Sequence, residues 1–187
     1  MAIKILIAVV LLIVLFVIFV ATRPSAFHVE RSITVNAPPE AVFAQVNDFR
    51  AWGAWSPWEK KDPDMKRTYG ATTAGPGGTY AWAGNGNVGE GNMTIERSER
   101  PSHVAIRLEF IKPFAGTNTA TFNFAPASGG TKVTWAMDGH YNFITKGIGV
   151  FVSMDKMIGN DFEAGLSAMK TAAESAPETS TRTATVN

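Results

Sequence analysis

The chain predicts an α+β fold: a curled antiparallel sheet of about seven strands around a long C-terminal helix, preceded by one transmembrane helix. Three observations predict it. Ile5 to Ala21 is an unbroken run of seventeen apolar side chains between Lys4 and Arg23. His103–Ile111, Thr117–Ala125 and Thr131–Tyr141 each alternate with a period of two, the pattern of strands with one buried face. Phe151–Glu174 instead carries apolar residues at helical spacing.

Taken through Thr22, the apolar run reaches roughly 27 Å at about 1.5 Å per residue, close to the hydrocarbon thickness of a bilayer. A cleaved signal peptide has a shorter apolar core, about 7–15 residues, ending in small residues. Val20-Ala21-Thr22-Arg23-Pro24 lacks an Ala-x-Ala pattern. Residues 1–22 are therefore predicted to be a retained single-pass anchor in the inner membrane, and 23–26 a linker. The short amino end is expected in the cytoplasm and the domain outside it, although Lys4 on one side and Arg23 and Arg31 on the other leave the charge rule undecided.

A domain is expected over residues 27–175. Phe27–Val35 reads as its first strand, with Phe27, Val29, Ile33 and Val35 sharing one face. Asn36-Ala37-Pro38-Pro39-Glu40 reads as a helix start: proline suits the first turn and glutamate the positive end of the dipole. Val42, Phe43, Val46 and Phe49 continue it at helical spacing, and a short helix over Arg50–Trp55 is closed by Ser56-Pro57. From Arg67 to Tyr141 the pattern is of strands between turns. Gly75-Pro76-Gly77-Gly78 and Ser128-Gly129-Gly130 are turn sequences, and Asn85-Gly86 is a two-residue hairpin signal.

Val104, Ile106, Leu108 and Phe110, then Ala120, Phe122 and Phe124, then Val133, Trp135, Met137 and Tyr141 make one sheet face apolar and aromatic. Its cover is the last helix, with Met154, Ile158, Phe162, Gly165 or Leu166, Met169 and Ala173 as the stripe. Ser175 onward is rich in Thr, Ser, Ala, Pro and Glu with no apolar period, so 176–187 reads as a disordered tail.

Composition removes several function classes. A net charge of +1 offers no basic face for nucleic acid. With no cysteine there is no disulfide, thiolate metal site or thiol nucleophile. His28, His103 and His140 show no ligand spacing, so neither metal nor cofactor is expected. His140 and Asp138 share the outward face and are expected to pair there. Gly84-Asn85-Gly86-Asn87-Val88-Gly89 spells a dinucleotide fingerprint, but Met93-Thr94-Ile95 continues as strand where that motif needs a helix. Glu90, between two glycines, is the one candidate for a perturbed catalytic carboxylate if inward, and the glycines permit a bulge that turns it outward. Lys60 to Arg67 is a mixed-charge run expected to be a solvated loop. Trp52, Trp55 and Trp58 recur every third residue: either they rim a pocket mouth or touch a lipid headgroup zone, or Trp52 and Trp55 are core anchors of the short helix with only Trp58 partly exposed.

The order strand, two short helices, six strands, long helix resembles the helix-grip fold of the START and plant pollen-allergen superfamily. More narrowly, the chain resembles bacterial members of the polyketide cyclase/dehydrase and lipid-transport family. The likeness rests on Trp52-Gly53-Ala54-Trp55-Ser56-Pro57-Trp58-Glu59, Asp62-Pro63-Asp64-Met65-Lys66-Arg67-Thr68-Tyr69, Tyr80-Ala81-Trp82-Ala83-Gly84-Asn85, Val88-Gly89-Glu90-Gly91, Met154-Asp155-Lys156-Met157-Ile158-Gly159 and Asp161-Phe162-Glu163. It spans roughly residues 27–175.

The resemblance implies a cavity between sheet and helix, with Trp52, Trp55, Trp82, Phe110, Phe122, Trp135, Met137, Tyr141, Met154, Ile158 and Phe162 as candidate ligand contacts. The same aromatic and Met stripes also suit a filled core. Three functions stay open: a membrane-anchored binder of a hydrophobic small molecule or lipid, a cyclase/dehydrase-type enzyme using Glu90 or Tyr141 on a carbonyl-bearing ligand, and a protein-interaction module. The inward faces show no titratable pair at acid–base spacing, which favours binding over catalysis.

Overall fold

The computed structural model describes residues 1–175, and the predicted tail lies outside them. Helix α1 spans Ala2–Thr22 and is exposed along its length except at Val20. It is long and apolar enough to cross a membrane, a property it shares with signal sequences.

Strand β1 (Ala26–Val35) buries Val29 and Val35 on the predicted face. Helix α2 (Pro39–Asn47) starts with proline in its first turn and Glu40 against the dipole, and buries Val42, Phe43 and Val46. Asp48 then caps a 3-10 turn, Phe49–Ala54, by accepting from the Arg50 N–H at 2.9 Å. Ser56-Pro57 follows the end of that turn, as expected, with the Ser56 N–H donating to the Trp52 carbonyl at 2.8 Å, and it also opens the next element. Proline is pre-shaped for a first helical turn, and a further short helix, α3 (Pro57–Lys61), begins there.

The sheet strands are β2 (Lys66–Tyr69), β3 (Thr79–Ala83), β4 (Glu90–Glu99), β5 (His103–Lys112), β6 (Gly116–Ala127) and β7 (Gly130–His140). They form one seven-stranded antiparallel sheet with β1, in the order β1-β7-β6-β5-β4-β3-β2. Of the two hairpin turn sequences, one behaves as expected and one does not. Ser128 and Gly129 do make a two-residue turn between the paired Ala127 and Gly130, with Gly129 at φ +84°. Asn85-Gly86 does not. Those residues sit in a longer loop held by the Gly84 N–H on the Gly89 carbonyl at 2.9 Å, and the positive φ falls on Gly89 at +66°. Asp62 explains why: its Oδ2 accepts from the Asn85 N–H at 2.7 Å and draws the loop away from a tight turn.

After β7 comes a helix the periodicity missed, α4 (Phe143–Gly149), started by Asn142, whose Oδ1 accepts from the Thr145 N–H at 2.9 Å. The long helix α5 therefore begins at Met154 rather than Phe151 and runs to Glu174. It lies over β1 and packs against α2 and α3. Arg31 pins it there, donating to Glu163 at 2.7 Å and to Asp155 at 3.0 Å, across a backbone that only Gly159 lets come so close.

Candidate functional site

The sheet and α5 do not meet everywhere, and a partly open cavity of about 480 Å³ lies between them. That volume is within the range, roughly 300–1,000 Å³, of small-molecule sites. Of the residues expected to face it, Trp52, Trp82, Phe110, Trp135, Met137, Tyr141, Ile158 and Phe162 line it. Trp55 and Phe122 do not. Both are fully buried in the packed core beneath the cavity floor, in edge-on contact at 6.0 Å between ring centres. Their indole and phenyl rings fill space instead of bordering it. The side chain of Met154 lies outside the described residues.

The tryptophans are core anchors with one partial exception. The Trp52 indole N–H donates to the Val46 carbonyl at 3.0 Å and that of Trp55 to the Gln45 carbonyl at 2.8 Å, tying the 3-10 turn to α2. Trp58, on α3, is half-buried, lines the cavity and meets Trp135 and Phe162 edge-on. Trp135 stacks on Phe162 with ring centres 3.9 Å apart. Its buried Nε1 finds no acceptor among the described residues.

Glu90 is not among the residues lining the cavity: it sits opposite Lys112 at a β-bulge and pairs with it at 2.7 Å. Two carboxylates reach the cavity, Asp161, which is paired with Lys61 at 2.6 Å, and Glu59; Glu59 is the one in contact with a phenol. Periodicity had no purchase on it, because it lies in a helix of only five residues. Glu59 Oε1 accepts from the Tyr80 hydroxyl at 2.8 Å, and Oε2 accepts from Arg67 Nε at 2.5 Å. Glu59 and Tyr80 both line the cavity, so an inward titratable pair exists where none was expected. Burial first, then the Glu59 hydrogen bond and charge, push the Tyr80 phenol above its ordinary value of 10.0. The Arg67 guanidinium is raised by the same carboxylate. Burial also raises the Tyr141 phenol.

Two surface expectations also change. The Lys60–Arg67 run is anchored, not merely solvated: Asp62 and Met65 are buried, Lys61 pairs with Asp161 at 2.6 Å, and Arg67 holds Glu59. Asp138 pairs with His28 at 2.8 Å instead of with His140, because β1 lies beside β7 with His28 directly across from Asp138. No metal-binding cluster of His, Asp or Glu occurs among the described residues.

A seven-stranded antiparallel sheet gripping a long helix over a mostly apolar cavity defines a helix-grip domain. The chain belongs to the polyketide cyclase/dehydrase and lipid transport family, whose sequence pattern matches residues 26–174. Its sequence has no significant match among curated proteins. Solved structures share the fold at low identity. Protein CV1439 from Chromobacterium violaceum is 14% identical with a TM-score of 0.58, covering 82% of this chain and 100% of its own. SA2116 from Staphylococcus aureus, described as of unknown function, is 14% identical with a TM-score of 0.57, covering 81% of this chain and 96% of its own. The di-domain ARO/CYC BexL from the BE-7585A biosynthetic pathway is 16% identical with a TM-score of 0.59; it covers 84% of this chain, which spans 53% of it. At such identities the likeness is one of fold.

Proposed function

We propose that this chain is a single-pass, membrane-anchored binding domain for a hydrophobic small molecule or lipid, which it holds without transforming it. The observation that carries the reading is the cavity of about 480 Å³, walled largely by aromatic, Met and Leu side chains, at the foot of a helix apolar enough to span a bilayer. On this reading residues 1–22 anchor, 23–26 link, and 27–175 bind, on the outer side of the inner membrane. The family match supports a ligand-handling domain. Polar groups at the wall orient the ligand: Glu59 and the Tyr80 oxygen offer acceptors.

A second reading has its own observation. Glu59 and Tyr80, in contact at the cavity wall, are the acid–base equipment a cyclase or dehydrase would need, and BexL bears the ARO/CYC description. Against it, the Tyr80 proton is already donated to Glu59, and both Glu59 oxygens are engaged.

The full chain, extracted gently from native membranes and analysed by mass spectrometry, should bring with it a stoichiometric apolar compound. Glu59→Gln should retain that compound in unchanged chemical form. A chain that emerges empty under all mild conditions sinks the binding reading. Accumulation of a different, less processed compound on Glu59→Gln supports the enzyme instead.

A further inference from the structure

We propose that the mouth of the cavity is seated in the same bilayer that α1 enters, so that ligand passes between lipid and cavity without crossing water. This rests on the reading above that α1 is a retained anchor.

The register of the sheet supplies the first part. Ala26 lies across from His140, Thr119 from Asp138, Phe110 from Gly116, and Glu90 from Lys112. The end of β7, the start of β6 and the end of β5 therefore share one edge of the sheet with the start of β1, only a few residues after α1. The lining of the cavity reaches this edge at the β5–β6 turn (Pro113, Phe114, Ala115) and the start of α4 (Asn142, Thr145), and its mouth is assigned there.

The second part is what that edge exposes. Phe114, Phe143, Ile144, Ile148 and Phe151 all present large apolar surface to solvent, with Ile144 60% and Phe151 78% exposed. A cluster of this kind around an apolar cavity marks a docking surface. Residues 110–119 and 141–152 carry no acidic side chain; their two charges are Lys146 and Lys112, the latter paired with Glu90 at 2.7 Å, and Arg23 follows the end of α1. Apolar side chains with a fringe of cations are the chemistry of an anionic bilayer surface. The opposite end of the sheet, at Ser128-Gly129 and Pro101-Ser102, shows no such cluster.

The third part fixes depth. The Phe151 ring stacks on Phe16 of α1 with centres 6.0 Å apart. Phe16 is six residues before Thr22, the end of the helix, which places it about 9 Å inside the span at about 1.5 Å per residue. Phe151 then sits at the headgroup–acyl boundary, the depth of about 5–10 Å at which interfacial helices bury their apolar faces.

The chain has no cysteine, so single labels report cleanly. Phe114→Cys, Ile144→Cys, Phe151→Cys and the distal control Ser128→Cys, each in the full chain, would carry an environment-sensitive fluorophore in vesicles of phosphatidylethanolamine and phosphatidylglycerol. The expected result is that labels at 114, 144 and 151 are quenched by nitroxide-bearing lipid and shielded from iodide, with the reverse at 128. A chain that resists alkaline carbonate but leaves all four labels open to iodide overturns the seated mouth and spares the anchor. A chain that carbonate strips overturns both. Shielded labels on Phe151→Cys chains that also cross-link to one another assign the face to a second copy and overturn bilayer contact.

Discussion

The two ends of the sheet obey the same alternation and end up differently. In β5, Val104 and Ile106 are fully buried, while Leu108 and Phe110, further along the same face, are only half-buried. The difference lies in the cover. At the end holding Val35, Phe124 and Val133, helix α2 and the last turns of α5 close over the sheet, and Met169 and Ala173 leave no gap. At the end nearest α1 only the first turns of α5 are available, with Ile158 half-buried and Met157 exposed, and the sheet curls away from them. An apolar face becomes core or cavity wall according to what lies opposite, and period-2 patterning reports only the face.

The largest test of that contrast is Phe122→Ala. Phe122 is fully buried, stacking on Trp135 at 4.9 Å and meeting Trp52 and Trp55 edge-on. Truncation leaves a void in the closed half, and the expected loss is about 3–5 kcal/mol in urea unfolding. A loss under about 1 kcal/mol would mean that the closed half is already loosely packed and the two ends are alike.

The fold was legible because it depends on periodicity summed over long segments. Strands near 103–141 alternate for nine or more residues, and the stripe Ile158, Phe162, Leu166, Met169 and Ala173 repeats over several turns. The site was legible in part, for a physical reason. Trp82, Phe110, Trp135, Met137 and Phe162 could be assigned to the inner face, but their face does not distinguish them from Phe122. Glu59 was obscured by the shortness of α3, and α4 by a sequence, Phe143-Ile144-Thr145-Lys146-Gly147-Ile148-Gly149, with two glycines that weaken a helical signal. Gln45 and Val46 carbonyls holding the indoles of Trp55 and Trp52 are backbone contacts that no side-chain pattern reveals.

At the boundary between the two halves stands Tyr80, and its titration sharpens the comparison. Its phenol is raised above 10.0, chiefly by burial. The folded chain therefore holds the proton more tightly than the unfolded one, so this contribution is complete below the unfolded value and is lost as pH rises above it toward the folded value. Tyr80→Phe should cost about 1–3 kcal/mol near neutral pH, because Glu59 loses a donor. It should also lose less stability than the parent chain when unfolding is followed from about pH 8 to beyond pH 10. Tyr141, raised in the same direction, keeps some alkaline slope in both. Parallel pH profiles for the two chains would show that Tyr80 is solvated like the open end.

The smallest expected change in stability carries the most functional weight. Phe110 is half-buried, meets Trp82 edge-on at 5.9 Å and borders space that is already empty. Phe110→Ala forfeits part of one aromatic contact without opening a new void in packed core, so about 1 kcal/mol is expected in the same urea unfolding that Phe122→Ala shifts by several. Ligand retention should respond in the opposite proportion. Losing the contact that a ring at the cavity wall makes with an apolar ligand is worth about 1.4 kcal/mol, or about tenfold in affinity. The copurified compound should fall accordingly on Phe110→Ala in a chain that remains folded. A variant as unstable as Phe122→Ala would make Phe110 core, and the hollow at that end of the sheet would have no separate role. A variant both stable and fully loaded would place the ligand deeper, against Trp135 and Phe162, with Phe110 serving only the rim.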